Sequence, residues 1–233
     1  MFNFQLYGNT IVIKYERLIT MRIPNHIGII PDGNRRWAVS KGQTKESGYN
    51  CGLDPGVDLF KLCQSAGVKE ITYYGFTTDN TKRPKNQRLA FTQACIDAVK
   101  MLSQEDADLL VVGNHESDMF PKELLDYTTR KRFGKGGTKV NFLVNYGWKW
   151  DLHKLKTPSE NNKQIDEHIH LSDISRVDLI IRWGGRRRLS GFLPVQSIYA
   201  DFYVVDEYWP DFNTSHFDDA LKWYSTQDIT LGG

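Results

Sequence analysis

The sequence has no run approaching the roughly 18 consecutive apolar residues of a membrane-spanning helix. It also lacks the basic start, long apolar centre and small-residue cleavage site of a secretory leader. Cysteine is scarce: Cys51, Cys63 and Cys95 are odd in number and at no metal-like spacing. They read as reduced thiols, not as a disulfide framework. His168 and His170 stand two apart, so they cannot share a helix face, and the other histidines are isolated. No zinc centre is expected from them. An excess of one charge is missing too, since 30 Lys and Arg against 28 Asp and Glu leave a formal net charge of +2. That balance argues against a nucleic-acid partner gripped by a broad basic face. Repeats, low-complexity tracts and a linker are also missing. These absences leave a cytoplasmic globular protein, and peripheral contact with a membrane surface stays compatible with them.

What is present is a rhythm of strand, loop and helix. Short apolar runs appear at His26–Pro31, Glu70–Phe76, Asp108–Gly113, Lys139–Tyr146 and Val177–Trp183, with a shorter one at Asp201–Asp206. Continuous apolar runs of this length suit strands buried on both faces, as a parallel sheet requires. Between them, Leu53, Val57, Phe60, Cys63 and Ala66 recur at helical spacing and stop at Gly67. A second helical pattern runs from Leu89 to Leu102, and a third joins Phe120, Leu124, Leu125 and Tyr127. Alternation of this kind predicts βαβ units in one α/β domain over residues 21–233. Residues 1–20 read as an extension: Phe2, Phe4, Leu6, Ile11 and Ile13 alternate about Gly8-Asn9, which suggests a hairpin, and Met21 is a plausible second start. The polar stretch at Thr157–His168 reads as a surface excursion.

Ligands of parallel α/β sheets bind where strands end, so the residues just past each run carry the chemistry. After "HIGII" comes "PDGNRRWAVSKGQTKESGY", after "ITYYGF" comes "TTDNTKRP", and after "DLIIRW" comes "GGRRRLSGF". All three exits suit one anionic ligand. Asp32, Gly33 and Asn34 make a good turn, and Arg35, Arg36, Lys41 and Lys45 surround that carboxylate with cations. A carboxylate in such company also suits Mg²⁺, which takes one or two carboxylates plus substrate phosphate oxygens. Thr77, Thr78, Asp79, Asn80 and Arg83 either cap the next helix or offer donors to a ligand. In "WGGRRR" the glycines allow close backbone approach, and guanidinium groups match phosphate oxygens two at a time. The helix after Arg83-Pro84 carries Phe91, Ala94, Ala98 and Met101, either as core or as one wall of an apolar slot. A diphosphate head on a hydrocarbon tail would use both features.

At these residues the chain resembles the cis-prenyltransferases, the undecaprenyl diphosphate synthase family. "HIGIIPDGNRRWA" looks like that family's strand-exit signature, and "YYGFTTDNTKRP" is similar to its Tyr-Ala-Phe-Ser-x-Glu-Asn-Trp-x-Arg-Pro. "VNYGWKWD" is similar to its Asn-Tyr-Gly-Gly-x-x-Asp segment. "DLIIRWGGRRRLSGFLPVQSIYADFYVVDEYWPDF" looks like its final long motif. The likeness runs in order from about Asn25 to Gly232-Gly233.

The resemblance implies a mostly parallel six-stranded sheet wrapped by helices, a hydrophobic tunnel, a homodimer, isoprenyl diphosphate substrates and a Mg²⁺ cofactor. It implies isoprenoid biosynthesis by transfer of an allylic group to isopentenyl diphosphate. Asp32 matches the essential metal-binding aspartate. Gly33, Asn34, Arg35 and Arg36 match the turn around the allylic diphosphate, with Trp37 beside it and Lys45 where an arginine is usual. Thr77 and Asn80 match the loop residues linked to proton removal, Thr78 lies in the same loop, and Arg83 matches its phosphate-facing arginine. Arg182, Arg188 and Ser190 match the isopentenyl diphosphate pocket. Asp201 matches the acidic residue that reaches the metal across the dimer.

Four places depart from the pattern. Tyr49 stands for the family's active-site histidine, Thr81 for the loop tryptophan and Arg186 for the glutamate after Gly-Gly, while "STQDITLGG" replaces an arginine-rich approach. A histidine titrates near neutrality and a phenol only at about 10. Arg186 turns an anion into a cation in the second-substrate pocket. Regular condensation, irregular coupling or cyclisation of allylic diphosphates, and a non-catalytic subunit of a heteromeric synthase all remain open. Phe91 and Met101 beside the slot point to a short product.

Overall fold

The computed structural model describes residues 5–7, 10–12, 21–153 and 170–228. The polar stretch at 157–168 and the final Gly232-Gly233 lie outside them. In chain order the regular elements are β1 (Gln5–Tyr7), β2 (Thr10–Val12), β3 (His26–Ile30), α1 (Asn34–Ser40), α2 (Leu53–Ser65), β4 (Glu70–Tyr74) and α3 (Lys85–Leu102). There follow β5 (Ala107–Val112), β6 (Lys131–Phe133), β7 (Thr138–Leu143), α4 (Trp148–Leu152), β8 (Leu179–Arg182), β9 (Asp201–Val204) and α5 (Thr214–Ser225). β1 and β2 pair with each other in antiparallel fashion, Gln5 opposite Val12 and Tyr7 opposite Thr10.

The main sheet runs β6-β5-β7-β4-β3-β8-β9 and is parallel except for β6, which lies antiparallel to β5 at one edge. All six apolar runs form strands of this sheet. The seventh, β6, reads "KRF" in the sequence and is charged and mostly exposed, so it carries no apolar run to announce it. Two of the three expected helices form as α2 and α3. The third is only a 3-10 turn, Lys122–Tyr127. Pro121 precedes it and the turn closes at Thr128, leaving too few residues for a stable α-helix.

Continuous apolar runs are explained by two cores. Ile27 and Ile29 of β3 face α2, α3 and α5, where Leu59, Phe60, Cys63, Val99, Leu102, Phe217 and Ala220 are buried. Ile30, Leu143, Ile180, Phe192 and Leu193 make the second core on the opposite face. The cysteines are free, with Cys63 and Cys95 buried. Among the described residues no helix is long and apolar enough to cross a membrane.

Polar groups inside this frame are paired at the end of the sheet away from the cleft. His26, fully buried, contacts the Thr72 hydroxyl at 2.8 Å and the Ser175 carbonyl at 2.9 Å. Glu70 accepts from Asn141 at 2.7 Å and from the Ser175 hydroxyl at 2.7 Å. These bonds make His26 structural. Burial lowers its pKa, the nearby Glu70 charge only partly opposing this.

Asp151 in α4 differs. It is fully buried, and burial outweighs the pull of the Leu171 and His170 amides, pushing its carboxyl up to about 6. Between the ordinary carboxylate range and pH 6 the unfolded chain therefore holds fewer protons than the folded one at this site. Stability should fall as pH rises through that window and level off above it. Asp151→Asn should flatten that decline, as urea denaturation at pH 4.5, 6 and 7.5 can check; an undiminished pH dependence in the variant would show that Asp151 is not its source.

Candidate active site

Three strand exits meet at one edge of the sheet. β3, β4 and β8 are neighbours, with Ile30 level with Arg182. β3 also sits where the chain order reverses, between β4 and β8, which is the crevice-forming place in a parallel sheet. A cleft of about 820 Å³ opens there.

Asp32 stands at its base. Its carboxylate accepts from the Gly33 amide at 2.6 Å and from Arg182 Nη2 at 2.8 Å, with Arg36 Nη2 3.5 Å away. Burial pulls this carboxyl up, but Arg182, Arg36 and the Gly33 amide together more than offset it and hold its pKa below the usual range. Arg182 is only 4% exposed. It also donates to Ser190 Oγ at 2.9 Å and to the Arg188 carbonyl. The loop beyond β8 can fold back this tightly because Gly184 and Gly185 adopt φ of 82° and 69°. A Cβ on Gly184 would lie 2.5 Å from Arg36 Nη2. Tyr74 Oη holds the far end of the loop through a 2.8 Å bond to the Ser190 carbonyl.

The second exit contributes a turn and a clamp. The Thr77 amide donates to Asn80 Oδ1 at 3.0 Å, a capping box for the 3-10 turn Thr78–Lys82. Capping and lining are thus the same residues' work, because both Thr77 and Asn80 also face the cleft. Arg83 Nη1 donates to Tyr49 Oη at 2.8 Å, and its guanidinium lies over Phe91, 5.3 Å from the ring centre. Arg35 donates to Gln87 at 3.1 Å, which pins α1 to α3.

Seven cationic side chains line the cleft (Arg35, Arg36, Lys45, Arg83, Arg182, Arg186 and Arg188) against two carboxylates, Asp32 and Asp79. An anion of more than one charge is what such a cleft holds. Gly33, Asn34, Tyr49 and Ser190 line it as well. Three expected site residues do not. Trp37 turns away and donates its indole N–H to Asp211 at 2.7 Å. Thr78 packs against Gly147 and donates its amide N–H to the Tyr146 carbonyl. Asp201 opens β9, level with Leu179, and so lies at the other end of the sheet from Asp32. There it is 3.8 Å from Arg22, and its pKa is raised by burial, which Arg22 only partly opposes. Tyr74, Phe91 and Tyr208 line the cleft although the sequence motifs do not mark them for it. Tyr208 follows the exit of the sixth apolar run, so the strand-exit rule applied once more finds it.

The chemistry of this donor set fits Mg²⁺ in one way. Among the described residues no three His, Cys, Asp or Glu side chains gather. Asp32, ionised at the cleft base, offers one carboxylate, and phosphate oxygens of a bound substrate would supply further ligands. Beside the cleft, and sharing Tyr49 and Phe91 with it, is an apolar pocket between α2 and α3, with Leu53, Val57, Ala94, Ala98 and Leu102 in its walls.

A parallel sheet that ends in a cation-rich cleft beside an apolar pocket defines a protein for amphiphiles with a highly charged anionic head. Residues 30–232 match the model of the family described as putative undecaprenyl diphosphate synthase. A ditrans,polycis-undecaprenyl-diphosphate synthase of Aliivibrio fischeri, (2E,6E)-farnesyl-diphosphate specific, is 30% identical over 94% of this chain and 93% of its own. An isoprenyl transferase of Lactococcus lactis is 32% identical over 91% of this chain and 94% of its own. The chain belongs to the undecaprenyl diphosphate synthase family of prenyltransferases. Its fold is also that of lavandulyl diphosphate synthase from Lavandula x intermedia, solved with dimethylallyl diphosphate, at a TM-score of 0.80 and 24% identity over 91% of this chain and 99% of that one.

One packing contact sets where the arginine loop lies. Gly28 of β3 has the Phe192 ring over it, and a Cβ there would come within 2.5 Å of that ring. Gly28→Ala should cost about 1–3 kcal/mol by overpacking, read as a lower urea midpoint. An unchanged midpoint would mean that Phe192 is free to move aside.

Proposed function

We propose that the chain joins an allylic diphosphate to isopentenyl diphosphate in a Mg²⁺-dependent reaction, releasing inorganic diphosphate and a prenyl diphosphate. The observation that carries this reading is the meeting of three strand exits in one cation-lined cleft that borders an apolar pocket. Family membership supports it.

Breaking the allylic C–O bond leaves negative charge on diphosphate and positive charge on carbon. Arg35, Arg36 and the Gly33 turn hold the departing group, and fixed cations placed where charge develops stabilise that transition state. Asp32 would hold Mg²⁺, which when bound would supply positive charge to the departing diphosphate. The apolar wall keeps water from the allylic cation. Arg182, Arg188 and Ser190 hold the second diphosphate so that its double bond faces the cation. The new C–C bond forms, a proton leaves the neighbouring carbon, and Thr77 and Asn80 orient that step. Asp201 can act as a metal ligand only from a second copy of the chain, which makes a homodimer an element of the proposal. A lipid product would bring the protein into peripheral contact with a membrane.

A second reading is coupling or cyclisation of allylic diphosphates on the same scaffold. Arg186 favours it, since an added cation in the second-substrate region changes which diphosphate sits well there. The intact Asp32 turn weighs against a purely non-catalytic subunit.

Incubation with Mg²⁺ and paired isopentenyl, dimethylallyl, geranyl and farnesyl diphosphates, followed by mass analysis, separates these readings. Product from an allylic plus isopentenyl diphosphate supports the first, and product from dimethylallyl diphosphate alone the second. Asp32→Asn, which keeps an acceptor for Arg182, should lower turnover by orders of magnitude with unchanged circular dichroism; near-normal turnover would sink the assignment. Arg186→Glu should raise kcat/KM for isopentenyl diphosphate relative to an allylic second substrate, and an unaltered ratio would remove Arg186 from the selection.

A further inference from the structure

The cleft and the apolar pocket meet at a wall. Tyr49 and Phe91 border both, together with Pro31, Asn34 and Gly75, and they are the two aromatic side chains that do. Their rings are stacked, with centroids 4.6 Å apart and planes within 3° of parallel. The wall is braced on three sides. Arg83 holds the Tyr49 hydroxyl at 2.8 Å and covers Phe91. Phe76, fully buried, meets Phe91 edge-on at 5.6 Å. Tyr49 itself is only 5% exposed, so the pair is packed in place and not swinging in solvent.

Behind the wall little room is left. The apolar pocket has a volume of about 60 Å³. A cavity that holds benzene, with six carbons, is about 150 Å³. One five-carbon isoprene unit therefore does not fit behind the closed pair. The cleft in front is wide, about 820 Å³, but its walls are charged, and a hydrocarbon tail left there stays among guanidinium groups and water.

We propose that the Tyr49–Phe91 stack is the specificity-determining element of this chain, restricting the allylic substrate to five carbons and the product to ten. The proposal rests on the prenyl-transfer reading. A chain growing past its first unit has to separate the stacked rings, detach Tyr49 from Arg83 and displace Phe91 from Phe76. Phe91 is the ring whose loss opens the wall most directly, since it takes a six-carbon ring out of the boundary between cleft and pocket.

The test compares kcat/KM for dimethylallyl, geranyl and farnesyl diphosphate, each with isopentenyl diphosphate and Mg²⁺, and measures product length. The wild type should prefer dimethylallyl diphosphate at least tenfold and stop at ten carbons. Phe91→Ala should raise kcat/KM for geranyl and farnesyl diphosphate tenfold or more and yield products of fifteen carbons and longer. Phe91→Leu, a milder change in packing, should move the same way by less. Tyr49→Phe keeps the stack and loses only the hydroxyl bond, so its products should still stop at ten carbons whatever its rate. Wild-type products beyond ten carbons, or an unchanged length distribution in both Phe91 variants, would overturn the proposal. Calorimetric binding of the thiolodiphosphate analogues of dimethylallyl and farnesyl alcohol separates it from the reaction itself. A preference for the five-carbon analogue that Phe91→Ala abolishes upholds the stack as the length stop even where no condensation occurs. Equal binding of both analogues by wild type and variant removes the stop even where condensation is observed.

Discussion

The contact between Asp32 and Arg182 holds the site together. A guanidinium only 4% exposed is costly unless its charge and donors are met. Asp32 meets the charge, and Asp32, Ser190 Oγ and the Arg188 carbonyl accept from its two Nη groups, while its buried Nε has no protein acceptor. The bond joins the exits of β3 and β8, which already lie in register at Ile30 and Arg182. It thereby fixes the loop that carries Arg186 and Arg188 over the cleft. In the proposed reaction an incoming diphosphate competes with Asp32 for these donors, because its oxygens fit the same guanidinium fork. Whatever the anion takes from Arg182 and Arg36, it releases from Asp32, leaving a free carboxylate next to phosphate oxygens. That is the setting in which a hard divalent cation binds well.

The cations that would otherwise repel one another are kept apart by backbone and aromatic supports. Arg35 is held by Gln87, Arg83 by Tyr49, and Arg36 sits over the Tyr208 ring at 5.0 Å. Arg35 and Arg83 are anchored by neutral groups, so their charges remain available to a ligand. Among the described residues only Arg182 and Arg36 have a carboxylate partner in the cleft. The site is therefore preorganised for an anion, with little rearrangement left to binding.

Legibility in the sequence follows burial. The apolar runs of the inner strands are legible because a parallel sheet covered on both faces leaves few polar positions, and those that occur, His26, Glu70, Thr72 and Asn141, are buried and paired. β6 escapes notice because an exposed edge strand of three residues needs none of that pattern. α1 is hidden inside what reads as a turn, since "DGN" ends a strand and starts a helix within three residues. The rule that ligands sit past strand exits brings together Asp32, Asn80, Arg83, Arg182 and Arg188, which the structure does place around one cleft. It does not say which way each side chain turns. Trp37 and Thr78 sit on the right segments and face elsewhere, toward Asp211 and Gly147. Asp201 is the reverse case, a polar residue at the entrance of an apolar run, and parallel strands put entrances and exits at opposite ends of the sheet.

Tyr49 shows what resemblance alone leaves out. As a replacement for histidine it reads as the loss of a group that titrates near neutrality. In the structure its phenol is pushed up by burial, with Arg83 only partly opposing, so it stays neutral across the physiological range. What it gains is a flat ring against Phe91 and an acceptor for Arg83. Arg83 thus touches both halves of the site, lining the anion cleft while bracing the wall of the apolar pocket. A change at Arg83 acts on head-group binding and on the wall together. Phe91 offers no hydrogen bond to a diphosphate, so it is the residue at which tail selection separates from head-group binding.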